Sequence, residues 1–532
     1  MGAHALLRLG RVGEAQLAFE KELERAKSRQ QQGIQVQCLT GLGLAAKALG
    51  NAPLAGSLFE VAIEVFEEQR RALPSDDLRS AFLTDHLLPY EEQLRSALAG
   101  GSPEHVLWCL DRFRARALDE GMRDRRPLAT DEPTQDLRER LDWLYRRVQQ
   151  LRDEGTASAV LETEMARTER TLLEAARRHR LPHGGTALRH TEADFSVSAL
   201  QEALEAADAL VEYGVVDDEL FACVARKCAV VLIRSVASWS EVLRGIDALQ
   251  FQLHALNHGA APVQQHLAQL TMRANARSAH LYRLIWAPII DTLAGCERVL
   301  VVPHGLLGAV PFAALRDGEV PLGAQYGLAM VPSARLALRG IAHRPVSRRR
   351  AVTLGESSTL RHAAEEARSV AALFEDGTSL VGGAATWQNL ATAAPNADIL
   401  HLACHARFRV DNPRFSALLL HDGPATVERI ESLRLQPATV VLSACETAVA
   451  EAATGDERVG LVRAFLLAGA SRIVASLWPV DDIITAGFML RFHARLAAGE
   501  SSSAALAAAQ QLTAQQHPHP SHWAAYVLYG GW

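Results

Sequence analysis

Lysine is nearly missing from this chain. It occurs only at Lys21, Lys27, Lys47 and Lys227, while arginine is abundant, a bias that fits a GC-rich genome better than a function. No basic excess exists either: the formal net charge is −6 and the pI about 6.4, so nothing draws the whole chain to nucleic acid as its main partner. Long apolar runs are absent, with no stretch approaching the ~20 uninterrupted residues of a membrane span. The opening MGAHALLRLGRVGEAQ lacks the charged, apolar and small-residue sections of a secretory signal, so a cytoplasmic protein without a membrane anchor is expected. Cysteines are odd in number and scattered, at Cys38, Cys109, Cys223, Cys228, Cys296, Cys404 and Cys445, with no C-x-x-C pair. That argues against a disulfide framework and a zinc ribbon.

What is present is a soluble composition, 48% hydrophobic and 22% charged, over 532 residues. At ~150 residues per domain this length implies about three domains. The first sixty residues repeat at an offset of forty: LLRLGRVGEAQLAFEKEL aligns with AAKALGNAPLAGSLFEVAI, setting Gly10 over Gly50, Ala15 over Ala55, Phe19 over Phe59 and Glu20 over Glu60. In a helix–turn–helix repeat the glycine makes the turn, the alanine lets two helices approach and the phenylalanine fills the gap between them. The pattern resembles tetratricopeptide repeats with a lengthened period. Its first helix is short, which implies a trimmed chain or a missing upstream repeat.

Residues 76–180 continue as helix by pattern. EHVLWCLDRFRARALDEGM sets Val106, Cys109, Leu110, Phe113, Ala117 and Leu118 on one face, and the Arg/Glu-rich run 134–180 places Leu137, Leu141, Leu144, Val148 and Leu151 at helical spacing. A charged, solvated helical surface is expected there, ending at RRHRLPHGG (177–185). From about residue 190 short apolar runs alternate with helices. ALVEYGVV, LFACVAR and CAVVLIR suit a meander, and RVLVVPHG and YGLAMVPSA read as further strands. After the linker-like IAHRPVSRRRAV (341–352), the runs AVTLG, ADILHLAC, ATVVLSAC and SRIVASLW are nearly continuous in apolar residues and are separated by helices such as 362–374 and 457–470. Strands buried on both faces read this way, so a parallel sheet covered by helices is expected. The fold class is thus helical repeats followed by α/β, with parts at 1–75 (repeats), 76–185 (helical connector), 186–345 and 346–532 (two α/β halves).

Chemistry gathers beyond the carboxyl ends of parallel strands. His405 follows ILHLAC and Cys445 ends VVLSAC; on neighbouring strands the two share one crevice, the geometry of a base and its thiol nucleophile. The nearest backbone donors for an oxyanion are the N–H groups of Ala406 and Cys445. Cys404 is expected to turn into the opposite layer, and His401 to be a hydrogen-bonded histidine of the sheet. A metal site would need His401, Cys404, His405 and Cys445 to converge, which the alternation of strand faces opposes. The histidines of HPHPSHW (517–523) are broken by prolines and read as a loop, and His304 in VPHG reads as structural.

DILHLACHARFRVDNPRFSALLL, VVLSACETAVAEAATGDERVGLVRAFLLAGASRIVASLWPVDD and HWAAYVLYGGW, together with VVPHGLLGAVPFAAL, VPSARL and RHAAEEARSVAALF, resemble in their order the CHAT domain. This is a caspase- and separase-related cysteine protease module, and the likeness covers about 190–532. The resemblance implies a catalytic dyad of His405 and Cys445, a non-catalytic caspase-like half at 186–345, a catalytic half at 346–532, and no cofactor. In related enzymes a glycine often follows the histidine; Ala406 stands here and still offers an N–H. By the same resemblance Asp481 and Asp482 lie near the primary specificity pocket, where a carboxylate favours a basic residue, although PVDDIITAGFM also reads as a capped helix start. Asp456, Glu457 and Glu446 are weaker candidates. The family implies an endopeptidase kept latent until its repeats sense an activating protein or ligand, acting in bacterial defence on gasdermin-like pore formers or CRISPR-associated partners. The alternative is a repeat and caspase-like scaffold without turnover. A basic-specific pocket would make Arg348, Arg349 or Arg350 a self-processing site, while the same arginines also read as a solvated linker.

Overall fold

The computed structural model describes residues 2–71, 87–100, 102–114, 116–123, 132–153, 158–179, 195–258, 266–342, 349–356, 360, 362–407, 415–436, 438–443 and 460–532. The chain divides into a first unit, Met1–Ala117 with Glu174–Phe195, and a second, Leu118–Leu173 with Ser196–Trp532.

Helices α1 (Gly2–Arg8), α2 (Val12–Ser28), α3 (Gln32–Ala48) and α4 (Ala52–Arg71) form two successive helix–turn–helix pairs. Gly10 and Gly50 turn each pair with φ of 74° and 78°, a left-handed backbone that side-chained residues avoid. Ala15 and Ala55 are buried, and the rings of Phe19 and Phe59 lie over Gly41 and Gly43 of α3. The aligned glycine, alanine and phenylalanine therefore have the same roles in both pairs. Helices α5 (Leu88–Gly100) and α6 (Pro103–Phe113) continue this unit.

The single amphipathic run expected over 104–122 is interrupted. Arg114 is extended, with φ −94° and ψ 137°, and α7 (Arg116–Arg123) begins anew beyond it. Val106, Cys109, Leu110 and Leu118 are buried as the spacing requires, while the side chains of Phe113 and Ala117 fall outside the described set. The 134–180 run is two helices, α8 (Glu132–Asp153) and α9 (Ala159–His179). Nor is their surface all solvated: Leu141, Leu144, Tyr145, Val148, Met165 and Leu172 form a buried cluster with Phe415, far along the chain. The expected boundary at 177–185 lies mostly outside the described residues.

After α10 (Val197–Ala203), β1 (Asp208–Val216), β2 (Glu219–Arg226) and β3 (Ala229–Ser238) make the expected antiparallel meander. Helices α11 (Trp239–His254) and α12 (Leu267–Ile285) lead to β4 (Arg298–Val302), the small pair β5 (Arg316–Asp317) and β6 (Val320–Pro321), β7 (Gly327–Met330) and α13 (Ala334–Ala342). Next come β8 (Arg350–Gly355), α14 (Ala363–Ala371), β9 (Asp376–Val381), α15 (Trp387–Ala393), β10 (Ile399–Ala403), β11 (Ala406–Arg407), β12 (Ala417–Leu420), β13 (Gly423–Thr426) and α16 (Val427–Glu431). The chain closes with β14 (Thr439–Leu442), α17 (Gly460–Ala468), β15 (Arg472–Ser476), α18 (Asp482–Ala497), α19 (Ser502–Gln516) and β16 (Tyr526–Gly530).

Among the described residues, eleven strands share one mostly parallel sheet in the order β3-β2-β1-β4-β7-β16-β15-β14-β10-β8-β9, and β11, β12 and β13 form a separate three-stranded sheet. β16 is the joint of the large sheet, parallel to β7 and antiparallel to β15. Its exit demands glycine: a Cβ on Gly531 would lie 2.4 Å from the Gly340 carbonyl oxygen in α13. Arg472 of β15 donates to the backbone oxygen of Trp532, and the Arg298 guanidinium lies over the Trp532 ring. Backbone cannot retreat as a side chain can, so Gly531→Ala should lower unfolding stability by about 1–3 kcal/mol. Gly383→Ala, where nothing lies within 4 Å of a new Cβ, should stay within about 0.5 kcal/mol of the parent; equal denaturation midpoints for the two variants would refute this account of the joint.

Candidate active site

The apolar strands β10 and β14 lie side by side and parallel, Ile399 opposite Thr439 through Leu402 opposite Leu442. The pairing extends one step further, where the Ser443 N–H donates to the Leu402 carbonyl at 3.0 Å. This register has an offset of forty residues, the interval that separates His405 from Cys445 in the sequence. Cys445 itself lies outside the described residues, as do Glu446, Asp456 and Glu457.

His405 is partly exposed just past the carboxyl end of β10. Its carbonyl accepts from the Leu419 N–H at 2.8 Å, tying it to β12. The next residue, Ala406, stands opposite Leu418. With the bond falling on the preceding residue, Ala406 and Leu418 are a non-hydrogen-bonded pair, so the Ala406 N–H points away from this ladder. One strand over, Glu356 follows β8, is nearly buried, and donates its N–H to the Ala403 carbonyl at 2.9 Å. Cys404 is fully buried; burial, with the Glu356 carboxylate adding to it, pushes its thiol up to about 12, so it stays protonated as an inert core residue.

His401 is a fully buried histidine of the sheet, as its place in the strand suggested. Its Nε2 lies 2.9 Å from a Glu366 oxygen of α14, out of hydrogen-bond alignment, and its Nδ1 lies 3.1 Å from His493 Nε2 of α18. His493 packs edge-on against Phe374 and Phe492. Burial first, and then the neighbouring His401, hold it well below the ordinary value of 6.5. Sequence reasoning missed both partners. The legible signal was Glu366, a carboxylate set among Ala363, Ala367 and Val370 in the buried stripe of α14.

Asp481 caps α18, its Oδ1 accepting from the N–H groups of Ile483 and Ile484 at 3.0 and 3.2 Å, and Asp482 Oδ2 accepts from the His362 N–H at 3.2 Å. Arg348 is outside the described residues; the amides of Arg349 and Arg350 both donate to Asp398 Oδ2, fixing the start of β8. His304 meets Trp239 edge to face. In the 517–523 loop His519 is buried, its Nδ1 accepting from the Ser521 N–H at 3.2 Å, and burial and then His522 lower it to about 4. No group of three metal-ligating side chains occurs among the described residues, and no described helix is long and apolar enough to cross a membrane.

His493 and His519 are held neutral in the fold but take a proton near 6.5 once unfolded. The unfolded chain therefore binds more protons as pH falls, so this part of the stability is complete above pH 6.5 and is lost as pH falls below it, down to about 4 for His519, with His493 contributing in the same direction. The thermal midpoint should fall across that window and fall less in His519→Asn, which keeps an acceptor for Ser521; a variant that tracks the parent would show that His519 is not a source of the loss.

The family model described as CHAT domain matches residues 275–531, beginning within α12, so β1 to β3 precede it although they share its sheet. Tetratricopeptide repeat protein 28 of Mus musculus is 29% identical over 191 residues, 28% of this chain and 8% of that protein. The Homo sapiens protein of the same name is 27% identical over 322 residues, 47% of this chain and 13% of that protein, so the chain spans a small fraction of these relatives. The Saccharomyces cerevisiae separase–securin structure aligns with 99% of this chain and 49% of that one at 10% identity and a TM-score of 0.48. The Arg-specific cysteine proteinase gingipain R aligns with 55% of this chain and 74% of that one at 9% identity and a TM-score of 0.33. Residues 275–531 of this chain thus match the CHAT domain and lie in a mostly parallel α/β sheet that follows helical repeats of tetratricopeptide type.

Proposed function

We propose that the chain is a cysteine endopeptidase in which His405 is the base and Cys445 the nucleophile. The observation that supports this most is the parallel register of β10 with β14, whose offset equals the His405–Cys445 interval. In this reading the His405 imidazole takes the thiol proton and the thiolate attacks the scissile carbonyl carbon. The oxyanion accepts from the N–H groups of Ala406 and Cys445, the former directed away from the β11–β12 ladder. The imidazolium then protonates the leaving amine, and water activated by the same histidine hydrolyses the thioester.

Asp481 and Asp482 are proposed to favour a basic residue before the cut. Asp481 uses one oxygen on two backbone N–H groups and Asp482 one oxygen on one, which leaves each a second carboxylate oxygen for an arginine. The helical repeats are proposed to sense an activating protein or ligand in the cytoplasm, and a gasdermin-like pore former encoded beside the gene is the first substrate to test.

The experiment incubates the full chain with such a neighbour and an activator. Cleavage should fall by at least about a thousandfold in both Cys445→Ala and His405→Ala, should resist chelators, and should coincide with labelling of Cys445 by a thiol-reactive peptide. Chelator sensitivity, or cleavage surviving either substitution, would remove the dyad. Stable binding of the neighbour with no labelling of Cys445 would favour a scaffold.

A further inference from the structure

We propose that α8 and α9 position His405 by holding the strand that leaves it, with Tyr145 and Arg407 as positioning residues; the inference rests on the reading of His405 as the base. β11 is only two residues long, pairing Ala406 with Leu418 and Arg407 with Ala417. So short a ladder has little stability of its own, and the His405 carbonyl depends on it through the Leu419 N–H. Its support comes from outside the large sheet. The Arg407 guanidinium lies over the Tyr145 ring of α8, 5.2 Å from the centroid, a contact strengthened by burial. Tyr145 is 1% exposed, and its hydroxyl donates to Glu169 Oε1 of α9 at 2.7 Å.

The partner strand is held by the same helices. Phe415, just before β12, is buried against Leu141, Leu144, Val148 and Leu172. Beyond β13, Glu428 of α16 pairs with Arg138 of α8 at 2.8 Å. One helix thus grips the two-residue strand after the histidine and both ends of the segment that pairs with it. A base must sit within a fraction of an ångström of its working geometry, because small misplacements cost orders of magnitude in rate. The helix pair sets that geometry.

The test uses the full chain with Arg407→Leu, Arg407→Lys, Tyr145→Leu, Tyr145→Phe and, as a control on the exposed side of α8, Trp143→Ala. Two quantities are read: hydrogen exchange at the Leu419 amide, and the pH midpoint of Cys445 alkylation by iodoacetamide, resolved by peptide mass. Arg407→Leu and Tyr145→Leu should speed Leu419 exchange about tenfold and move the alkylation midpoint toward that of His405→Ala. Arg407→Lys and Tyr145→Phe, which keep a cation over a ring, should recover most of both, and Trp143→Ala should match the parent. Arg407→Leu keeps the inference falsifiable if loss of the buried Tyr145 unfolds the helices. Unchanged Leu419 exchange in Arg407→Leu would overturn the proposal, and faster exchange with an unmoved midpoint would reduce both residues to a structural role and overturn it too. If His405→Ala itself leaves the midpoint unmoved, the dyad is wrong, and the exchange arm alone then decides whether the helices hold the strand.

Discussion

The parallel pairing of β10 with β14 is the constraint on which the rest of this architecture depends. Parallel strands bond evenly along their length, so a register set at Ile399 and Thr439 persists to the point where both strands leave the sheet. The pairing is stable because each strand is apolar on both faces and helices cover both sides. Within β10 the exception is His401, a polar group with no access to water. Its Nδ1 meets His493 Nε2 of α18 at 3.1 Å, and Glu366 of α14 comes within 2.9 Å of its Nε2 without hydrogen-bond alignment. The strand that leads to His405 thus carries one buried polar contact as well as its packing.

Two grades of order meet at His405. Up to Ala403 the chain belongs to an eleven-stranded sheet, and three residues later it belongs to a ladder with two paired positions. The large sheet determines where the histidine emerges. The small sheet, gripped by α8, determines how it is presented.

How much of this was readable in the sequence follows from the range of the forces involved. β1, β2, β8, β10, β14 and β15 were legible because a strand buried on both faces needs an unbroken apolar run, which is local information. The glycine, alanine and phenylalanine of the repeats were legible because they recur. β11 to β13 were not, since two to four residues leave no period to detect. The burial of the 134–180 helices was visible as an apolar stripe yet was assigned to solvent, because nothing near Leu141 or Tyr145 in sequence points to Phe415 or Arg407. The break at Arg114 was likewise hidden: the flanking residues keep helical spacing on both sides of it. At the site, the strand ends and the charged cap at Asp481 could be read locally, whereas the Glu366–His401–His493 contacts join three elements and emerge only in the fold.

The position of β16 has a consequence for how the molecule is made. Residues 526–530 sit between β7 and β15, so two stretches of sheet synthesised long before must wait, with facing edges unpaired, until this strand leaves the ribosome. Each waiting edge is an open template for another chain. A nascent copy is therefore most exposed to aggregation during the interval between β15 and β16, and α18 and α19, which fill that interval, fold locally without needing either edge.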